Sequence, residues 1–345
     1  MNPLLRQLQQ IRSEARKSVL KLGPDPVVEL RVRRDVLDVA VARTLVADVA
    51  ESPQVRSLAD EQRADGSWGR LHSEDTTLGL EYATTEFAVR RAVSLGLTET
   101  HAMLRRARSC LARYIRSGDC PDPAEKNDRW PTGVRLFAAS TLALFAPKAR
   151  ESARVRKTWL RIGERTFADG NYDANREAAA HADLTGATMK GTYLALDNRY
   201  ALELLASCDA LAPGLGASLA DWVADSGRGI RYLSEPLRMP PLGRAAGRVD
   251  RWLTSVHIAV ALGPSRERLQ QLVHPILESR GDDGLWDFGP RPERSAYLPL
   301  SQSWRRIENR KADWTTRVLL VLKEAERVAG THEGSRSVQR EGTQR

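Results

Sequence analysis

The stretch Gln62-Arg63-Ala64-Asp65-Gly66-Ser67-Trp68-Gly69 decides how this chain is read. Asp65-Gly66 is a turn signal, because glycine adopts the positive φ of a tight turn without steric cost. Trp68 sets a large apolar plug directly beside that polar turn. Downstream, Tyr82-Ala83-Thr84-Thr85-Glu86 opens a run to Gly96 in which Phe87, Val89, Ala92 and Val93 fall on the face of a helix. The unit reads as helix, Gly-Trp turn, helix.

The unit recurs. Asp169-Gly170-Asn171-Tyr172 follows a helix-like segment over 152–167, and Asp283-Gly284-Leu285-Trp286 follows one over 266–279. Candidate helix starts lie near Pro26, Thr84, Asp128, Lys190, Asp250 and Asp313, at intervals of 44–63 residues, as expected of hairpin-sized units. A weak repeat in an almost wholly helical pattern points to stacked helical hairpins. Six such hairpins can close into a ring.

Gln62, Asp65 to Gly69 and Tyr82-Ala83-Thr84 resemble the repeat of squalene cyclases and protein prenyltransferase β-subunits, in which Gln and Trp flank a Gly turn before the next inner helix. The pattern spans most of residues 25–328, with the first copy nearest the motif. The second copy has Tyr172 in place of Trp, and the third has Ser279 and Arg280 where Gln would sit. The resemblance implies an all-α fold, an (α/α)6 toroid of about twelve helices in two concentric layers. Residues 1–330 are then expected to form a single domain, with 1–22 as an outer helix and 331–345 as a disordered polar tail.

Along the chain, Leu4, Leu5, Leu8, Ile11 and Val19 line one side of the first helix, and Arg6, Arg12, Arg16, Lys17 and Lys21 occupy the rest. Such a helix packs on a ring or lies on a membrane surface. Val27 to Val49 reads as the first inner helix, and Thr98 to Ile115 as an outer helix capped by Thr98 or Thr100. Residues 175–188 read as a polar loop and Lys190 to Ser207 as an inner helix. Long loops are expected over 227–247 and 290–310. His257, inside an apolar run, reads as a core residue.

The chain has 345 residues, 41% of them hydrophobic, and a net charge of +9. That charge permits contact with nucleic acid, with anionic lipid heads or with an anionic substrate. It equally describes a solvated arginine-rich surface. Cys110, Cys120 and Cys208 form no disulfide framework and suit a reducing, cytoplasmic compartment. Charges interrupt the first twenty residues, so no signal peptide is expected. No apolar run approaches the ~20 residues of a spanning helix.

In a ring of this kind the inner helices point the same way, and their positive dipole ends favour an anion at one mouth. The starts read Thr84-Thr85-Glu86, Asp128-Arg129-Trp130, Lys190-Gly191-Thr192-Tyr193, Asp250-Arg251-Trp252 and Lys311-Ala312-Asp313-Trp314. Asp caps a helix and Trp packs its entry, but a cap does not require the Arg. Glu86, Asp128, Asp250 and Asp313 are therefore the candidate acids. Arg129, Arg251 and Lys311 are candidates to hold an anionic group, and Trp130, Trp252 and Trp314 to line the wall.

Two loops add His72 and Trp304. His72-Ser73-Glu74-Asp75-Thr76-Thr77 has a faint likeness to the acid motif of class II cyclases, with the central acids reduced to Asp75. The segment around Trp304 interleaves aromatics and bases and reads as a lid or a plug. Metal and cofactor are not expected. The six His show no HxxxH or HExxH, Asp119-Cys120 lacks the spacing of prenyltransferase zinc ligands, and there is no Walker A, GxGxxG or GxSxG.

An aromatic pocket serves a carbocation or ammonium by cation–π attraction, or a stacked nucleobase. The first functional expectation is a protein that binds or transforms a small molecule, an isoprenoid or other apolar ligand with an anionic head, in a central cavity. As an enzyme it would be a metal-independent acid–base cyclase, lyase or transferase. The second is a nucleic-acid-binding or nucleobase-processing, DNA-repair-like protein. The third is a non-catalytic interaction scaffold.

Overall fold

The computed structural model describes residues 3–77, 79, 81–188, 193–209, 211–241, 245–290 and 298–342, with side chains as far as His332. Every regular element among them is helical, and no strand occurs. The first segment gives α1 (Pro3–Lys21), α2 (Pro26–Leu30), a π-helical turn over Arg31–Val36, and α3 (Arg43–Ala50). The middle gives α4 (Pro53–Glu61), α5 (Thr85–Ser94), α6 (Ala102–Ser117), α7 (Trp130–Ala143), α8 (Ala153–Thr166), α9 (Ala174–Thr185), α10 (Arg199–Ala206) and α11 (Pro213–Asp225). The last part gives α12 (Ala246–Ala261), α13 (Arg266–Glu278) and α14 (Ile307–Gly342). The contacts divide into two compact units: a central unit over 47–218, and a split unit joining 1–46 to 219–345.

Each unit holds one copy of the tryptophan turn. In the central unit Gly66 has φ 87°, and Gly66 N–H donates to Arg63 O while Arg63 N–H donates to Ser67 O. Trp68 is fully buried. Its indole N–H donates to Leu58 O in α4 at 2.8 Å, and its backbone N–H donates to Thr85 Oγ1 in α5 at 2.9 Å. Gln62 Nε2 closes the turn on Gly66 O at 3.1 Å and reaches Met103 O at 3.0 Å.

The split unit repeats this frame bond for bond. Gly284 has φ 78°, Gly284 N–H donates to Gly281 O, and Gly281 N–H donates to Leu285 O. Trp286, fully buried, donates its indole N–H to Ile276 O at 2.7 Å and its backbone N–H to Thr315 Oγ1 at 2.9 Å. At the position of Gln62 stands Arg280, whose Nε donates to Gly284 O at 2.9 Å. The turn needs a side-chain donor there, and a guanidinium supplies one as well as an amide does. The Asp169 copy keeps the positive φ, 85° at Gly170, but Tyr172 is 36% exposed, with its hydroxyl donating to Glu177 Oε2 at 2.7 Å.

Several elements differ from expectation. Val27–Val49 is interrupted, because Lys323 Nζ donates to Asp35 O and Arg12 donates to Val36 O, occupying carbonyls that a continuing helix would use. Asp38 then turns the chain at φ 55°. The expected loop 175–188 is largely α9. Asp173 caps it, accepting from Asn175 and Arg176 N–H, and Gly186 closes it at φ 71°. Its alanines favour helix without marking a face. Lys190, the expected start of the next helix, lies outside the described residues; the helix observed there begins at Arg199, capped by Asn198. His101, not Thr98 or Thr100, caps α6.

Asp250 sits one turn inside α12, and Asp313 is almost two turns inside α14, so neither begins a helix. Part of the 290–310 loop, 291–297, lies outside the described residues. The final helix runs on to Gly342, past the point where the sequence reading ends ordered structure; no proline follows to stop it. His257 is exposed on α12 rather than in the core. The first helix agrees with expectation: Leu4, Leu5, Leu8 and Val19 are buried, and Arg12 forks onto Glu326 of α14 at 2.6 and 2.7 Å.

Trp68→Ala and Trp286→Ala should each lose about 3–5 kcal/mol, the range for a truncated buried aromatic. Tyr172→Ala should lose far less. Urea unfolding of the three variants checks the ranking, and an equal loss for Tyr172→Ala would contradict it.

Candidate functional site

The central unit gathers a buried charged cluster around one loop. Asp122 accepts the backbone N–H of Leu71, His72 and Ser73 at 2.5, 2.9 and 2.6 Å, and the Ser73 hydroxyl at 2.7 Å. Burial by itself would raise the Asp122 pKa, but these donors outweigh it and hold the carboxyl below its ordinary value. The loop so fixed lays the His72 ring flat on Phe137 of α7, with centroids 4.3 Å apart and planes 22° apart.

Glu86 stands in the first turn of α5, which Thr84 caps by accepting Phe87 N–H at 3.1 Å. His72 Nδ1 lies 3.1 Å from Glu86 Oε2 and 3.0 Å from the Tyr200 hydroxyl, which donates to the same Oε2 at 2.7 Å. Arg90, one turn along α5, donates Nε to Glu86 Oε1 at 2.9 Å and forks onto Glu203 of α10 at 2.8 and 2.7 Å. Arg199 also donates to Glu203, at 2.8 Å.

Burial opposes the charge on Glu86, but Arg90 and His72 prevail and bring its pKa down to about 2. Burial and the Glu86 charge push the Tyr200 hydroxyl well above its ordinary value, so it stays a donor. A carboxylate and a hydroxyl oxygen both face Nδ1, which assigns the ring proton to Nδ1 and the basic lone pair to Nε2. A carboxylate-oriented imidazole is a general acid–base arrangement.

The site continues along one stripe of α7. Arg129, Gly133 and Phe137 recur every fourth residue and so share a face. Tyr193 lies on Gly133, where a Cβ would come 2.5 Å from its ring, and its centroid is 5.7 Å from that of Phe137. Burial and the Glu125 charge raise its hydroxyl to about 12. At the start of the helix, Arg129 Nε and the Trp130 indole N–H are buried without a hydrogen-bond partner. Asn127 Oδ1 caps α7, accepting Arg129 and Trp130 N–H at 2.9 and 3.0 Å. Asp128, expected in that role, is exposed and accepts the Thr188 N–H and hydroxyl at 3.2 and 3.0 Å.

His72 and Glu86 thus come together beside α7, and Arg129 and Trp130 stand at its start. The other candidates belong to the split unit. Asp313, fully buried, accepts Leu300 N–H at 2.6 Å and Trp304 Nε1–H at 3.0 Å. Arg317 bridges Asp313 and Asp250 at 2.9 and 2.8 Å. Trp252 and Trp314 are fully buried and donate to Leu237 O and Gly289 O, so both sit in the core rather than on a wall. Trp304 packs on Trp314 at 5.4 Å. Arg251 pairs with Glu235 at 3.2 Å and Lys311 with Asp283 at 2.5 Å, so neither cation is without a carboxylate.

Asp75 is bound by the Thr77 hydroxyl and paired with Arg70, which lower its pKa. It is therefore an anion at neutral pH and not the protonated acid that alkene protonation needs. Among the described residues no group of three or more His, Cys, Asp or Glu could hold a metal ion, and no helix is long and apolar enough to cross a membrane. Arg90, Asp122, Tyr200 and Glu203 did not appear among the sequence candidates, whereas Tyr193 stood at one of the expected helix starts. The four-residue spacings Glu86–Arg90 and Arg199–Glu203 were readable as helical ion pairs, but their union was not.

Against known protein families, curated proteins and solved structures, the chain finds no match. The likeness to the cyclase and prenyltransferase repeat rests on the residues that carry it.

A fully buried histidine contributes to the acid response. His181 of α9 is fully buried, and neither ring nitrogen has a hydrogen-bond partner. Glu177 Oε1, 3.9 Å away, is already held by Leu196 N–H. Burial draws the His181 pKa from 6.5 down to about 4. The unfolded chain therefore takes up this proton first. The contribution is intact above about pH 6.5 and is lost as pH falls toward 4, on the order of 3 kcal/mol in all. Glu86, with a folded pKa of about 2 against 4.5, acts in a lower window, losing its contribution as pH falls from about 4.5 toward 2. His181→Phe should shrink the fall in urea midpoint between pH 6.5 and 4, leaving the part due to His101 and the carboxylates. An unaltered slope in that window would refute the assignment.

Proposed function

We propose that the central unit binds a small molecule along the α7 stripe and transfers a proton to or from it through His72. The observation that supports this is the pairing of two features on one helix face. At one end Glu86 and Tyr200 orient Nδ1 of His72 over Phe137. At the other, Arg129 and Trp130 carry buried donors without partners. Buried unsatisfied donors are costly, and a ligand anion would satisfy both. The stripe from Arg129 to Phe137 is about 12 Å long at 1.5 Å per residue. Its middle is the ring faces of Tyr193 and Phe137. An apolar chain with an anionic head, of the isoprenoid class, fits that order of groups.

In this reading Arg129 and Trp130 hold the head and the aromatic faces hold the chain. His72 Nε2 accepts or returns a proton at the far end. Glu86 stays ionised throughout and stabilises the imidazolium when it forms. The (α/α)6 closure implied by the tryptophan-turn repeat belongs to the same proposal.

The test is a panel of short isoprenoid phosphates and diphosphates incubated with the protein, with products followed by mass spectrometry. His72→Gln should lower kcat by about 10²–10⁴, the usual range for general acid–base catalysis, with the melting temperature kept. Arg129→Gln should raise KM by roughly tenfold to a hundredfold, the cost of one charge-assisted contact, and leave kcat largely intact. If no member of the panel binds, while oligonucleotides bind with an affinity that falls steeply with salt, the proton-transfer reading gives way to nucleic-acid recognition.

A further inference from the structure

The opposite face of α7 borders a separate cavity of about 480 Å³, within the central unit. Thr132 and Arg135 line it, while Gly133 and Phe137 face the site above; at 100° per residue these pairs point to different sides of the helix. Trp159 of α8, Ile115 and Val155, all buried, supply apolar lining. The charged lining is uneven. Glu151 is forked by Arg108 at 3.1 and 3.1 Å, so its charge is already answered. Arg135 leans on Gly118 and donates to Ser117 O at 3.2 Å. Arg116 at the end of α6 and Arg154 at the start of α8 are solvent-exposed, and among the described residues neither guanidinium has a hydrogen-bond or ion-pair partner. Two guanidiniums without carboxylates therefore share a concave, partly apolar site with a third.

We propose that this cavity binds a phosphate monoester with a flat apolar body. Guanidinium forks match phosphate oxygens in pairs, so Arg116 and Arg154 can hold the dianion, with the Thr132 hydroxyl and Arg135 as further donors. The volume lies within the roughly 300–1,000 Å³ usual for small-ligand sites. The Trp159 indole, itself braced edge-on by His181 at 5.8 Å, receives the body. This site is independent of proton transfer at His72, and it asks for no reaction.

The experiment is isothermal titration calorimetry of the full chain with phenyl phosphate. Inorganic phosphate and phosphatidic acid vesicles form the other arms. Phenyl phosphate should bind saturably at one site, more tightly than inorganic phosphate, because only it uses the apolar floor. Arg116→Gln with Arg154→Gln should weaken it by about a hundredfold, roughly tenfold for each charge-assisted contact, at an unchanged melting temperature. Trp159→Phe keeps the floor apolar and should retain binding. Absence of saturable binding, binding indifferent to the arginine pair, or affinity for vesicles alone would each overturn the proposal.

Discussion

Much of the central unit depends on one buried guanidinium. Arg90 forks onto Glu203 and reaches back to Glu86, and so ties α5 to α10 inside the protein. Each of these ions is expensive to remove from water. Their mutual attraction repays that cost only when the geometry is good and the remaining lone pairs are met. Here they are met: Tyr200 and His72 serve Glu86, and Arg199 and Ser140 serve Glu203. Because burial strengthens every interaction in the group, the ionised state of Glu86 follows from Arg90, and the orientation of His72 follows from Glu86. The chemistry at the surface of the cluster is set by a charge that itself has little access to solvent.

The same economy appears in two further carboxylates. Asp122 collects the backbone N–H groups of residues 71–73, and Asp313 collects those of Leu300 and Ser301. In each case a loop without regular structure gains the hydrogen bonds that a helix would have supplied internally. The loop that carries His72 is thereby tied to Asp122 through three consecutive backbone N–H groups.

The fold was legible in the sequence wherever a local rule acts alone. The Gly-Trp turns, the amphipathic α1 and the apolar α7 followed from turn chemistry and periodicity. Arg280 taking the place of Gln62 shows that the turn specifies a donor rather than a residue type. Where a local rule competes with distant partners, the sequence misled. The helix after Pro26 breaks because Arg12 and Lys323, remote in the chain, occupy its carbonyls. The α9 segment was hidden by alanines that have strong helix propensity but no face. At the site, His72 and Glu86 stood out because one is in a turn-rich loop and the other in a helix's first turn. Tyr200 and Arg90 could not be read, since their role exists only where α5 and α10 meet. Asp128, Asp250 and Asp313 resembled caps because the acid–base–aromatic triplet looks alike at a helix entry and inside a helix.

Gly133 has a consequence beyond its helix. A single added carbon at this position would collide with the Tyr193 ring, which therefore rests on bare backbone. Replacing the glycine lifts the ring away from α7 and moves the boundary of the aromatic face shared with Phe137. The width of that face is thus governed from beneath, by a residue with no side chain of its own. One added carbon there would reshape the aromatic face while leaving His72 and the ion cluster behind it as they are.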